Sequence, residues 1–199
     1  MAQISLAAPG TLTDCLFPAP SLVRDGLVVT GGALFTALLA QIAIRLPFTP
    51  IPLTGQTFAV LVVGVVLGWR RGMLSQLLYV LVGLAGLPVF AGAVGGISAL
   101  LAPSGGYLVG FIAAAGFMGM LAERGWDRGA RVVLAMVGGE VVIYLFGVGW
   151  LAVEAGSVVR ALVLGFFPFV LGDALKLGAA SLAIPSAWRW VGRRDTMQG

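Results

Sequence analysis

The sequence predicts an all-α integral membrane protein with six transmembrane helices, Pro- and Gly-rich outer loops, and a short surface helix before the last span. Three observations lead to this fold class. The 199-residue chain is 59% hydrophobic and only 10% charged, whereas soluble domains have about 25% charged residues. Its apolar residues form about six spans, each close to the roughly 20 residues that cross a bilayer core. Its arginines fall at the ends of these spans and form no stripe of the kind that binds nucleic acid.

The spans define one membrane domain between two tails. We place an N-terminal tail at residues 1–23, the six-helix domain at 24–192 and a cytoplasmic tail at 193–199. Residues 1–23 lack a basic start and are interrupted by Asp14 and by prolines, so we predict a disordered or surface-lying tail, not a signal peptide. One cysteine and no histidine exclude a disulfide framework and most metal chemistry, and we predict no cofactor.

The first span covers residues 27–46. It contains Ala33 and Ala37, a small-xxx-small pattern that lets a second helix approach closely. The second helix is either a neighbour in this domain or an external partner, and the pattern allows both.

A Pro-rich connection, residues 47–54, follows the first span. Three prolines in six residues forbid a helix there. Non-helical backbone at membrane depth persists only where protein or a water-filled cavity covers it, so this loop is a candidate lid or pocket wall. Thr54, Gln56 and Thr57 then begin a short second span, residues 54–68, which ends at an interfacial connection, residues 69–72.

The third span, residues 73–87, runs into a Gly-rich segment. Gln76 and Tyr79 lie three residues apart on one face of this span. The Gly-rich segment, residues 86–107, has no charge and no predicted helix, and loops this long are usually functional or disordered. No Lys-Ser/Thr pair follows it, so it is not a Walker-type phosphate loop.

The second half of the chain contains the other three predicted spans. The fourth span covers residues 107–122 and the fifth covers 132–150, where Glu140 and Tyr144 share a face. Glu140 is either a hydrogen-bonded or protonated packing residue or a direct ligand. A short surface helix at residues 157–167 precedes the last span, which begins at Pro168.

The arginines also predict the orientation in the membrane. The positive-inside rule makes the Arg-rich side cytoplasmic, so both termini are inside and the Pro-rich and Gly-rich loops are outside. The predicted inner side has Arg24, Arg70, Arg71, Arg124, Arg128, Arg131, Arg189, Arg193 and Arg194, and the outer side has only Arg45 and Arg160.

The last span contains the principal candidate site. Asp173 and Lys176 lie three residues apart on one helix face, within an apolar run and beneath the outer loops. Ionisable groups at membrane depth mark a substrate or ion path, although a self-satisfied structural ion pair is the alternative. Lys176 offers a point charge to a carboxylate, and Asp173 accepts N–H bonds. A ligand with one carboxylate, N–H donors and an apolar body would use both. Candidate aromatic walls of such a pocket are Phe48, Phe58, Tyr79, Phe90 and Tyr107.

Five segments in order resemble the biotin-specific substrate-binding subunits of energy-coupling-factor (ECF) vitamin transporters, the BioY family. They are residues 46–57 (LPFTPIPLTGQT), 68–72 (GWRRG), 77–91 (LLYVLVGLAGLPVFA), 103–111 (PSGGYLVGF) and 168–176 (PFVLGDALK).

The resemblance implies a six-helix prokaryotic plasma-membrane subunit that binds biotin with high affinity. It also implies a partner module of one transmembrane coupling protein and two cytoplasmic ATPases, with Ala33 and Ala37 docking on the coupling protein. Asp173 then accepts a ureido N–H or balances Lys176, and Lys176 meets either the carboxylate or the ureido carbonyl. Further hydrogen bonds come from Gln56, Tyr79 and Tyr107, with Thr54, Phe48 and Phe90 as further candidate contacts. The family's polar side chain after the Val-Phe pair is absent here, and the backbone amide of Gly92 is its candidate substitute.

Three other interpretations remain at this point. A stand-alone secondary carrier would couple protons through Asp173 or Glu140, and the same fold could bind another vitamin. An intramembrane enzyme needs a nucleophile and a base, and Lys176 and Ser181 are poorly placed for a dyad, so we predict no enzyme. The chain contains no nucleotide-binding motif, and whether it self-associates is left open.

Overall fold

The computed structural model describes the backbone of residues 10–197 and the side chains of residues 10–189. The described part contains six long helices, three short ones and one two-stranded hairpin. In chain order these are α1 (Leu12–Leu16), α2 (Leu22–Ala40), β1 (Ala43–Ile44), β2 (Leu53–Thr54), α3 (Gln56–Leu67), α4 (Trp69–Leu84), α5 (Ser98–Leu101), α6 (Gly105–Glu123), α7 (Arg131–Ala155), α8 (Val158–Gly165) and α9 (Val170–Met197).

The predicted all-α membrane fold is confirmed. Within residues 10–197, α2, α6 and α7 are each long and apolar enough to cross a bilayer, and α8 with α9, bent by 54°, gives a fourth candidate span. The other two long helices, α3 and α4, have 12 and 16 residues, so the predicted second and third spans are shorter than a full crossing. The short helix before the last span is present as α8, which begins after its N-cap Ser157.

The junction between α3 and α4 differs from the sequence prediction. The connection predicted at residues 69–72 is the first turn of α4, and Gly68 alone separates the two helices. Gly68 has a φ of +83°, a left-handed conformation that glycine adopts without the steric penalty of a Cβ.

Helix α6 lies at the centre of the bundle and packs against α3, α4 and α7. Small residues allow this close approach. A Cβ added to Gly64 of α3 would lie 2.6 Å from the backbone oxygen of Ala115 in α6. On the other side, a Cβ on Gly106 of α6 would lie 2.5 Å from the backbone oxygen of Phe146 in α7. These backbone contacts fix the helices that surround the site.

We expect Gly119→Ala in α6 to lower the free energy of unfolding by about 1–3 kcal/mol, because overpacking forces backbones apart. An added Cβ would lie 2.2 Å from the backbone nitrogen of Trp69. The matched control is Gly149→Ala in α7, where nothing lies within 4 Å of the added Cβ. Because alanine has a higher helix propensity than glycine, this variant should raise the free energy of unfolding by up to about 1 kcal/mol. Thermal unfolding in detergent measures both, and equal melting temperatures would contradict the close approach.

The described part of the predicted N-terminal tail is a folded helix. Thr11 and Asp14 form a capping box that begins α1, and Leu12 and Thr13 are buried. The hydroxyl of Thr13 donates to the backbone oxygen of Val66 at 2.7 Å. Residues 10–16 therefore differ from a disordered tail, and residues 1–9 lie outside the described part.

An ion cluster attaches α1 to the bundle. Asp14 lies 2.7 Å from Arg71 and 3.5 Å from Arg24, and Asp25 pairs with the same two arginines. Burial raises the pKa of Asp14, but hydrogen bonds from Thr11 and Arg71 and the positive charge of Arg71 outweigh it, so the net pKa is lowered. The cluster joins α1, α2 and α4 at one end of the molecule.

The last helix continues into the predicted C-terminal tail. Helix α9 extends to Met197, so residues 193–197 are helical, and residues 198–199 lie outside the described part. The indole N–H of Trp188 in α9 donates to Asp127 at 2.7 Å, and the Arg128 guanidinium lies 4.0 Å from the Trp188 ring centroid.

At the opposite end, irregular segments cover the bundle. The two-residue strands β1 and β2 pair antiparallel, with Ala43 opposite Thr54, and residues 45–52 form the loop between them. The Gly-rich segment contains the one-turn helix α5, which the sequence did not predict, and α6 begins at Gly105. The hydroxyl of Thr49 donates to the backbone oxygen of Leu164 at 2.6 Å, so the Pro-rich loop is attached to the end of α8.

Candidate functional site

A cavity of about 430 Å³ lies beneath these loops. Its volume is in the range of about 300–1,000 Å³ usual for small-molecule sites. It is bounded by both irregular loops and by α3, α6, α7 and α9. The residues used below that line it are Arg45, Thr49, Thr54, Gln56, Thr57, Phe90, Gly92, Tyr107, Phe111, Tyr144, Asp173 and Lys176.

The polar floor of the cavity is the Asp173–Lys176 pair. The ammonium of Lys176 lies 2.8 Å from Oδ1 of Asp173 and donates to the hydroxyl of Thr57 at 3.0 Å. The hydroxyl of Tyr144 donates to Oδ2 of Asp173. Asp173 is 5% exposed and the Lys176 side chain is 18% exposed, so the acid is buried, the ammonium is half-buried, and the two charges neutralise each other. The pair is a satisfied structural ion pair that also faces the cavity.

Local sequence explains the position of the pair. Asp173 lies in the first turn of α9, where the positive end of the helix dipole stabilises an anion. Its backbone N–H donates to the backbone oxygen of Phe169 at 2.8 Å. Lys176 follows by three residues, so both side chains project from one face into the cavity.

A hydrogen-bonded chain positions Gln56 at the cavity wall. The side-chain amide of Gln56 donates to the hydroxyl of Tyr79 at 2.7 Å, and that hydroxyl donates to the backbone oxygen of Val89 at 3.2 Å. The hydroxyl of Thr54 donates to Oε1 of Gln56 at 2.9 Å. Thr54 and Gln56 line the cavity, whereas Tyr79 lies behind them and is 1% exposed. Tyr79 is thus placed as a support for Gln56, not as the cavity wall that the sequence predicted.

Tyr107 lines the cavity with its ring. Its hydroxyl donates to the backbone oxygen of Gly165 at 2.6 Å, which attaches α6 to the end of α8. Gly147 of α7 provides the space for this ring, because a Cβ there would lie 2.4 Å from a Tyr107 ring carbon. The hydroxyl predicted as a ligand contact therefore has a partner within the chain.

The remaining predicted wall residues divide into two groups. Phe90 and Gly92 line the cavity. Phe48 is 61% exposed, and neither Phe48 nor Phe58 belongs to the lining. Phe58 packs against the core instead.

The loop that includes Gly92 has a left-handed backbone. Gly92 has a φ of +73° and Ala93 a φ of +58°. The side chain of Gln41 stabilises this turn, because its amide donates to the backbone oxygens of Val89 and Phe90 and its Oε1 accepts from the backbone N–H of Ala93.

Two important lining residues were not predicted as site residues. Tyr144 was recognised only as a neighbour of Glu140, and Arg45 only as an outer-side charge. Arg45 lines the cavity, its guanidinium lies against Gly92, and it forms no ion pair with any described residue. The sequence feature that could have identified Arg45 as a site residue is its position: it is a cation beside the Pro-rich loop, on the side predicted to have few arginines.

Glu140 is buried but does not line the cavity. It lies one turn before Tyr144, is 5% exposed, and neither carboxyl oxygen has a hydrogen-bond partner among the described residues. It lies within electrostatic range of Asp173 and Lys176.

We expect Glu140→Met to raise the free energy of unfolding by about 1–3 kcal/mol, because a buried polar group without a partner loses its hydration uncompensated. Glu154→Met is the matched control, since Glu154 is an exposed glutamate on the same helix; it should change stability by less than about 0.5 kcal/mol. Thermal unfolding in detergent measures both. A lower melting temperature for Glu140→Met than for the control variant would show that Glu140 has a stabilising partner.

The small-residue pattern of α2 mostly faces the interior of the domain. Ala33 is 7% exposed and belongs to the core, and Ala37 is half-buried. The most exposed residues beside them are Leu34 and Leu38. The pattern was predicted to pack against either a helix of this domain or an external partner. Ala33 packs within the domain.

The fold and cavity together define a polytopic membrane protein with an internal cavity of the size usual for small-molecule sites. The chain belongs to the BioY family, because the BioY family model matches residues 10–193. It is similar to the biotin transporter BioY of Rhizobium etli, with 39% identity over 80% of this chain and 90% of that one. It is also 42% identical to the biotin transporter BioY of Thermotoga maritima, over 75% of this chain and 88% of that one.

A solved structure has the same fold. It is described as the S-component for biotin from an ECF-type ABC transporter, and it matches with a TM-score of 0.72 at 23% identity, covering 86% of this chain and 95% of that chain.

Proposed function

We propose that the chain is the high-affinity biotin-binding membrane subunit of an ECF-type transporter and mediates biotin uptake. The observation that carries this proposal is the Asp173–Lys176 ion pair at the floor of a ligand-sized cavity. The named relatives and the solved neighbour support biotin as the ligand. Membership of the BioY family supports a transport role and argues against the interpretation as an intramembrane enzyme.

The polar groups of the cavity match the two ends of biotin. The ureido ring has two N–H donors and one carbonyl acceptor. Asp173 accepts an N–H and Lys176 donates to the carbonyl, since the two side chains form one hydrogen-bonded group at the cavity. Buried polar groups bind best when every donor meets an acceptor.

The carboxylate of biotin then lies toward Arg45. Lys176 has an internal counter-ion at 2.8 Å, whereas Arg45 has no ion pair within residues 10–189. A guanidinium forms strong, often bidentate, hydrogen bonds with a carboxylate. The apolar chain of biotin lies between these ends, against Phe90, Tyr107 and Phe111. Of the two orientations that the sequence leaves open, we therefore propose the one with the ureido ring at Lys176.

In the proposed function ATP is hydrolysed by partners, because the sequence of this chain contains no nucleotide-binding motif. The proposed module is one transmembrane coupling protein and two cytoplasmic ATPases, whose turnover reorients the loaded subunit. Docking would use the exposed face of α2 around Ala37, with Leu34 and Leu38 59% and 68% exposed. The proposed location is the prokaryotic plasma membrane with both termini cytoplasmic, which the arginines near the α1 end support.

A second candidate function is a stand-alone biotin carrier driven by protons. Glu140 favours it, because an acid buried at membrane depth near the site is the group such carriers use. Uptake that survives without any ATPase, and that is lost both in Glu140→Gln and on collapse of the proton gradient, would support this alternative.

Mass spectrometry of small molecules released from the purified chain tests the ligand. We expect biotin at one molecule per chain, and biotin uptake by cells only when the ATPase module is co-expressed. Recovery of a different vitamin, with no binding of labelled biotin, would contradict the proposed ligand.

A further inference from the structure

A groove on the outside of the bundle, separate from the ligand cavity, has both charged and apolar walls. It lies between α2 and α4 at the α1 end of the molecule and has a volume of about 710 Å³. Arg70, Arg71, Asp25 and Glu123 line its mouth, and leucines and Val29 line the rest. We propose that this groove binds one phosphatidylethanolamine molecule, with the phosphate on the two arginines and the ammonium on the acids.

The two arginines have unused capacity for a phosphate. Arg71 pairs with Asp14 and Asp25 through Nη2 and Nε, but its Nη1 is buried and has no partner among the described residues. Arg70 is exposed, lies 5.1 Å from the Trp69 ring centroid, and forms no ion pair within residues 10–189. A buried donor without a partner is costly, so the guanidinium gains a hydrogen bond if it turns Nη1 toward a phosphate oxygen in the groove.

The acids at the mouth account for the choice of headgroup. Asp25 and Glu123 balance Arg70 and Arg71, so a headgroup that is itself neutral overall but has both charges fits the groove. Glu123 accepts the backbone N–H of Trp69 through Oε1 at 3.0 Å and has no cationic partner in the described chain. The ethanolamine ammonium has three N–H donors, whereas choline has none and phosphatidylglycerol lacks the positive charge.

The apolar part of the groove has the length of an acyl chain in one leaflet. Leu74, Leu77 and Leu81 continue along α4 from the arginines and are 53%, 38% and 53% exposed. The distance along the helix from Arg70 to Leu81 is about 16 Å at about 1.5 Å per residue. One leaflet of the hydrocarbon core is about 15 Å thick. The headgroup contacts therefore lie at the membrane surface when the chain occupies the groove.

Native mass spectrometry of the delipidated, detergent-purified full chain tests the proposal. The probes are the palmitoyl-oleoyl forms of phosphatidylethanolamine, phosphatidylglycerol and phosphatidylcholine at equal concentration. We expect one phosphatidylethanolamine to be retained in preference to the other two. Arg70→Ala should weaken its binding about tenfold or more, because a charged hydrogen bond is lost, and Glu123→Gln should abolish the preference over phosphatidylcholine.

Arg124→Ala is the matched control, because Arg124 is an exposed arginine next to Glu123 but outside the groove lining. It should leave phosphatidylethanolamine binding unchanged, and labelled-biotin binding verifies that each variant is folded. Equal retention of the three lipids, or equal effects of Arg70→Ala and Arg124→Ala, would overturn the proposal. So would preferred binding of phosphatidylglycerol that Glu123→Gln leaves unchanged. If lipids were retained without selectivity and Arg70→Ala weakened assembly with a coupling protein, the groove would be a protein-docking face and the lipid proposal would be wrong.

Discussion

Replacing Asp173 with asparagine should weaken biotin binding about 100-fold or more, the largest effect we expect from a single substitution. The reason is the buried pair. Asp173 is the counter-ion of Lys176 at 2.8 Å and accepts the hydroxyl of Tyr144. Removing one member of such a pair leaves an uncompensated charge, which typically costs about 3–5 kcal/mol of folding stability, and it removes the group that holds the Lys176 ammonium in place. Asparagine also removes the negative acceptor for the ureido N–H.

A double variant separates binding from folding. Asp173→Asn alone should also lower the melting temperature, whereas Asp173→Asn with Lys176→Met removes both charges and should recover most of the stability. Both variants should bind labelled biotin about 100-fold or more weakly than the wild-type chain does. Asp127→Asn is the control for loss of a buried acid, because Asp127 is 2% exposed but bonds Trp188 outside the cavity; its biotin affinity should be unchanged. Near wild-type binding by the double variant would show that the pair has no ligand role.

Replacing Arg45 with alanine should weaken binding of biotin by about 10- to 100-fold, because a guanidinium–carboxylate contact is lost. The same variant should bind biotin amide, which lacks the carboxylate charge, almost as well as the wild-type chain does. Equilibrium competition with labelled biotin measures both ligands. The difference between the two ligands reports the contact between Arg45 and the carboxylate of biotin.

The control for Arg45 is Arg160→Ala. Arg160 is exposed, is predicted to lie on the same side of the membrane, and is not part of the cavity lining. We expect no change in affinity for either ligand. If Arg45→Ala weakened biotin and biotin amide equally, the carboxylate would not lie at Arg45, and Lys176 would become the candidate for that contact.

The sequence was sufficient to predict the floor of the site because the pairing is local. Asp173 and Lys176 are three residues apart on one helix, and an opposite-charge pair in an apolar run has few explanations. Their other partners are distant in sequence. Tyr144 is 29 residues from Asp173, and Thr57 is 119 residues from Lys176. No periodicity predicts such contacts, since they depend on how the helices pack.

The same limit applies to the loops. The prolines correctly predicted a non-helical connection between the first two spans, but the direction of each side chain depends on tertiary contacts. Thr49 bonds Leu164, 115 residues away, and Phe48 beside it is exposed. Tyr79 shares a helix face with Gln76, as predicted, yet it supports Gln56 instead of lining the cavity.

The N-terminal segment illustrates a different limit. Its prolines, its acidic residue and the lack of a basic start suggested a tail, but Asp14 pairs with Arg71, 57 residues away. Charges that neutralise each other across helices have no signature in a local window. The turn at Gly68 was likewise missed, because one glycine in a left-handed conformation can replace a four-residue connection.

The most direct test is an experimentally determined structure of the purified chain with biotin bound. We predict density for biotin in the cavity beneath the loops, with a ureido nitrogen within about 3.2 Å of an Asp173 carboxylate oxygen and the carboxylate beside Arg45. Biotin bound outside this cavity, or with its carboxylate on Lys176 and no contact to Asp173, would contradict the account.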